Sequence, residues 1–165
     1  MTAPINALGL TDPASSLTHL IGAVVFALCA IPMRRKAKGC RVCSISIGIF
    51  VGSAVVLLTA SGIFHGLPAH SAIRDIFQRL DHAAIFGLIA GTMTPIHAIL
   101  FRGLMRWGIL IPIWTFAILG IIFKTVFFTS TPEWLGISIY LLMGWSGSLS
   151  MVAVWRRFGL RFVSP

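Results

Sequence analysis

Five apolar runs divide the sequence, each free of charge except near an end. They cover about Leu17–Met33, Ser44–Leu67, Leu80–Phe101, Trp107–Phe128 and Pro132–Trp155. Each is about 17–25 residues long, which as a helix crosses ~30 Å of hydrocarbon. Between them lie short polar segments, the most basic being Arg34, Arg35, Lys36, Lys38 and Arg41. In lipid only helices or closed barrels satisfy every backbone polar group. The pattern therefore predicts an all-α fold: a polytopic transmembrane bundle of about five spans, with residues 1–165 forming one membrane domain.

Composition agrees. Hydrophobic residues make up 57% of the 165, charged residues 10%, and the mean hydropathy is +0.94. A soluble domain carries roughly a quarter of its residues charged, so the bilayer is the natural solvent and the first partner. No period of 20–50 residues repeats. Residues 1–16 contain no Lys or Arg, so the basic start of a cleaved signal peptide is missing and the first run reads as a retained span.

The net charge of +9 does not point to nucleic acid, because the basic residues sit in loops rather than in a patch interleaved with aromatics. Ten of the 13 Lys and Arg residues flank one side of the predicted membrane, with Arg74, Arg79 and Lys124 on the other. The positive-inside rule places the C-terminus in the cytoplasm and the N-terminus outside, in a plasma (inner) membrane protein. Lys124 and Glu133 fall near span ends, at expected interface positions. Of three cysteines, Cys29 reads as a packing residue. Cys40 and Cys43 form a lone CxxC, read as a chance pair because no second pair completes a zinc site. Gly48 with Gly52, and Gly87 with Gly91, have the GxxxG spacing that lets helices approach closely in lipid.

Polar side chains at membrane depth carry the chemistry. Ser61 and His65, four residues apart, share one face near the end of span two. Asp81 and His82 open span three, and His19 lies near the start of span one. The antiparallel order brings His19, Ser61, His65, Asp81 and His82 to one leaflet, and the opposite leaflet offers no comparable set. His70 lies in a loop and His97 near the far end of span three, both away from this group. Histidine and aspartate on facing helices suit zinc. Against that, Asp81 also reads as an ordinary helix-start residue, and interfacial histidines often only hydrogen-bond headgroups or backbone. Midplane charges of the kind that mark transporters are absent, and the spans are too uniformly apolar to line a pore.

Several motifs together carry a resemblance: Thr18-His19-x-x-Gly22, Ser61-x-x-Phe64-His65, Asp81-His82-x-x-Ile85 running on to Ala90-Gly91-Thr92-Met93-Thr94-Pro95, and Tyr140 followed by Met143-Gly144-Trp145. In this order they resemble the hemolysin III branch of the progestin and adiponectin receptor family over nearly the whole chain. The resemblance implies a seven-helix bundle with zinc held by a histidine ending helix two and two histidines on helix seven, and an aspartate of helix three contacting the metal through water. On that pattern His65 is a zinc ligand, Asp81 the water-linked aspartate and Ser61 the nearby serine. Similarity to alkaline ceramidases implies hydrolysis of a lipid amide, in which zinc lowers the pKa of its water to about 7. Two departures limit the analogy. Asp12 and Ser15 stand where the family has Glu and Asn, and no histidine follows His97. The resemblance thus implies a zinc site present only in part, too incomplete to hold the metal tightly, with a lipid ligand or substrate, in a chain that does not catalyse alone, whether it is a natural short form or a fragment. The alternative is a non-enzymatic membrane-active (cytolytic) or receptor-like protein.

Overall fold

The computed structural model describes residues 11–159; Arg161 of the expected basic tail lies outside them, as do residues 1–10. Five helices follow in order: α1 Pro13–Lys36, α2 Arg41–Gly66, α3 Ala72–Leu100, α4 Leu104–Val126 and α5 Glu133–Phe158. All five are long and apolar enough to cross a membrane, and the described residues contain no strand. The chain is an all-helical integral membrane protein.

Each helix extends past its charge-free run at one end at least, because a helix continues into the headgroup region where water and side chains satisfy its ends; α2 to α5 each stop one or two residues short at the other end. The largest extension is at α3, which begins at Ala72 rather than Leu80. Ser71 caps it by accepting from the Arg74 amide, and Asp75 in the first turn suits the positive end of the helix dipole. Two prolines, Pro95 and Pro112, lie inside α3 and α4.

Helix α3 is the axis of the bundle: α2, α4 and α5 each pack on it, and α1 packs on α2. The main core joins Phe86, Ala90 and Met93 of α3 to Leu110, Ile113 and Ala117 of α4 and Met143 of α5. Small residues set the approach, though not all those expected. A Cβ on Gly91 would collide with the Ser53 side chain of α2. One on Gly120 would come within 2.6 Å of the Phe86 ring, and one on Gly147 within 2.5 Å of Met93 Cε. By contrast Gly48, Gly52 and Gly87 have nothing within 4 Å of the same position. Of the two GxxxG pairs, only Gly91 is a packing residue within this chain; the others lie on open faces.

One further expectation needs correction. Cys40 and Cys43 are joined by a disulfide, with their Cα atoms 5.2 Å apart. Cys40 is the cap of α2 and its sulfur accepts from the Cys43 amide, so the turn that starts the helix brings the two side chains together. Lys124 lies in the last turn of α4, near the span end as expected, and is buried, at 4% exposure, with its Nζ beside Gly136 of α5.

Candidate functional site

The N-terminus of α1 is fastened to the C-terminus of α2. Asp12-Pro13 is a helix start of ordinary chemistry: Asp12 caps α1 by accepting from the Ser15 amide at 3.2 Å, and Pro13 takes the first helical position. The orphan carbonyls that end α2 are then met one by one. Gly62 receives the Ser16 hydroxyl at 2.8 Å, His65 the Asp12 amide at 3.0 Å and Leu67 the Thr11 hydroxyl at 2.6 Å. Arg74 of α3 donates to Phe64 and Leu67 at 2.9 and 2.8 Å, with its guanidinium 4.4 Å from the Phe64 ring centroid. Gly62 permits this closeness, since a Cβ there would lie 2.7 Å from Leu20 Cγ.

This seam sets the surroundings of His65. Its Nδ1 lies 3.6 Å from the Asp12 carboxylate. The His19 ring of α1 approaches edge-on, with centroids 5.6 Å apart. His19 Nδ1 is buried without a hydrogen-bond partner. The hydroxyl and then the amide of Ser15 hold the Asp12 carboxyl below the usual carboxylate range, assisted by the two imidazoles. Ser61, one turn before His65, is buried.

The recorded contacts of the expected group fall in two sets. His19, Ser61 and His65 gather at the α1–α2 seam, where the carboxylate beside His65 is that of Asp12. Asp81 and His82 belong to a second cluster between α3, α4 and α5. Asp81 lies within electrostatic reach of Tyr140, while Tyr140 donates to the His82 carbonyl at 2.8 Å and His82 Nδ1 donates to the Gln78 carbonyl at 2.8 Å. Among the described residues no ion pair joins Asp81 to His65. Nor does any group of three or more His, Cys, Asp or Glu there converge in a way that could hold a metal ion.

Sequence reasoning passed over two features. Asp12 was detectable as a helix cap, from an Asp-Pro pair ahead of an apolar run, but its contact with His65 depends on how α1 packs. The opposite leaflet is also less empty than expected. His97 is 1% exposed there, its Nε2 2.8 Å from the Ser150 hydroxyl of α5 and its ring stacked on Phe101. Its Nδ1 faces the Met105 carbonyl at 3.4 Å, which favours a proton on Nδ1 and leaves Nε2 to accept from Ser150. Nothing in the sequence distinguishes Ser150 from the other serines of span five.

The profile of the family described as "Haemolysin-III related" matches residues 10–162. Among curated proteins the chain is similar to Hemolysin-3 of Bacillus cereus, 36% identical over 134 residues, covering 80% of this chain and 60% of the relative. It is also similar to the Hemolysin-3 homolog of Bacillus subtilis (strain 168), 34% identical over 143 residues, covering 86% of this chain and 65% of that protein. The chain thus spans less than two thirds of the length of either relative.

Proposed function

The chain belongs to the haemolysin-III-related family, and on that premise we propose that its His65 rim is part of a zinc-dependent lipid hydrolase site which this chain alone leaves incomplete. The observation that carries the reading is the His65 imidazole itself: oriented by Asp12, faced by His19, and set one turn from a buried Ser61. His65 is the first zinc donor in this reading, Asp81 the water-linked carboxylate and Ser61 the hydroxyl nearest the substrate carbonyl. The unpartnered Nδ1 of His19 supports a polar guest at this rim. The donor set nonetheless falls short of the three protein ligands that a catalytic zinc site uses, so no reaction step is assigned to the described residues. The rim faces the outside of the plasma (inner) membrane in this reading, and the lipid amide reaches it from the surrounding bilayer.

Purified protein in mixed micelles with a short-chain ceramide and added zinc tests this directly. The expected result is no release of fatty acid above that from protein lacking His65. Turnover that disappears in His65→Ala would instead make the chain a complete enzyme.

The printed name of the relatives, Hemolysin-3, supports a second reading as a membrane-active protein without catalysis. Dye release from liposomes carrying the chain decides it: leakage above that of protein-free liposomes supports membrane activity, and its absence removes that reading.

A further inference from the structure

The densest charge in the chain adjoins its disulfide. Arg34, Arg35, Lys36, Lys38 and Arg41 are all exposed, and the Cys40–Cys43 bond closes the end of that run. The four acidic side chains of the sequence are Asp12, Asp75, Asp81 and Glu133. All four lie in the opposite half of the bundle, where α1, α3 and α5 begin. No carboxylate side chain therefore offsets the field at the disulfide.

The two sulfurs are not equivalent. Cys40 caps α2, and its Sγ accepts from the Cys43 amide at 3.2 Å, at the positive end of the helix dipole. An open hollow of about 530 Å³ is lined by Arg34, Lys38, Arg41 and Cys40 itself, whereas Cys43 does not line it. Cations and a helix start stabilise a thiolate. The rate of thiol–disulfide exchange depends on that stabilisation, and on which sulfur an incoming thiolate can reach. Here access and charge favour the same atom.

We propose that the Cys40–Cys43 pair is a thiol–disulfide exchange site for a low-molecular-weight thiol that carries carboxylates. The cations of the hollow select the carboxylates, and the disulfide selects the sulfur. The thiolate of one such molecule attacks Cys40 Sγ and forms a new S–S bond. The Cys40–Cys43 bond breaks, and Cys43 leaves as a thiolate that takes a proton from water. A second thiolate then attacks the sulfur of the bound molecule, and Cys40 leaves as a thiolate beside the cap amide and the cations. The pair is reduced by two electrons while two small thiols join as one disulfide. The same steps in reverse oxidise the dithiol. This site lies at the rim away from His65 and stands apart from the role given to that histidine.

The test uses the detergent-purified chain carrying Cys29→Ser, because Cys29 is free and exposed. Opening of the disulfide is followed by alkylation and mass spectrometry in glutathione, mercaptoethanol and cysteamine, whose thiolates fall in that order of negative charge. Per thiolate, glutathione is expected to react fastest and cysteamine slowest. Combining Lys38→Gln with Arg41→Gln should slow glutathione about three-fold or more, through loss of electrostatic attraction, and leave cysteamine nearly unchanged. Oxidised glutathione should form a mixed disulfide on Cys40 in Cys43→Ser, and far less on Cys43 in Cys40→Ser. A pair that does not close under oxidised glutathione, or stays closed in millimolar glutathione, overturns the proposal. So does a glutathione rate that the double variant leaves unchanged. An adduct that prefers Cys43 overturns the assignment of Cys40 as the sulfur attacked.

Discussion

His65 Nδ1 lies 3.6 Å from the Asp12 carboxylate, so the histidine that ends α2 is oriented by the residue that begins α1. The Asp12 backbone amide also donates to the His65 carbonyl at 3.0 Å. One residue therefore caps a helix, closes a helix pair and places the imidazole.

The Asp12 carboxyl sits below its ordinary range chiefly because the Ser15 hydroxyl, and after it the Ser15 amide, hydrogen-bond to it. A depressed folded-state value contributes stability that is present above the unfolded value, about 3.9, and lost as pH falls through the folded one. Thermal melting in detergent should therefore drop more steeply below about pH 4 in the natural protein than in Asp12→Ala. Asp12→Asn should retain more stability than Asp12→Ala at neutral pH, because the amide oxygen still caps.

Glycine substitutions separate packed from open faces. Gly120→Ala drives a methyl into the Phe86 ring and should destabilise by about 1–3 kcal/mol, the usual cost of overpacking. Gly48→Ala, with nothing within 4 Å, should stay within about 0.5 kcal/mol of the natural protein. Denaturant titration of both variants checks the contrast.

The five spans were legible because lipid forbids charge over a fixed length, and that rule alone finds α1 to α5. Their ends were less so. Ser71 and Asp75 start α3 by local capping that hydropathy does not register. The His65 rim was legible in part: helix direction alone brings Ser61, His65 and Asp81 to one end, but the Asp12 carboxylate beside His65 depends on how α1 packs on α2. The partnership of His97 with Ser150 spans 53 residues, and nothing local selects one serine of α5 over another.

That pair pins α5 to the bundle axis. Removing either partner of a buried hydrogen bond leaves the other unsatisfied, at about 1–3 kcal/mol. His97→Ala and Ser150→Ala should each lower the melting temperature, and the double variant should lose clearly less than the two losses added together. Additive losses would mean that the contact contributes nothing of its own.

Orientation is testable through the basic rim. With the loop after α1 in the cytoplasm, the Cys40–Cys43 disulfide faces a reducing compartment and should be open in growing cells. A membrane-permeant maleimide should label the pair and an impermeant one should not. A C-terminal fluorescent protein should fold and fluoresce. Active alkaline phosphatase at the same position would reverse the topology.

Zinc content is the most direct measurement of the central claim, that the His65 rim of this chain is a partial metal site. Elemental analysis of the detergent-purified chain, before and after dialysis against a chelator, should find well below one zinc per chain after dialysis. One zinc per chain that survives the chelator and is lost in His65→Ala would contradict it.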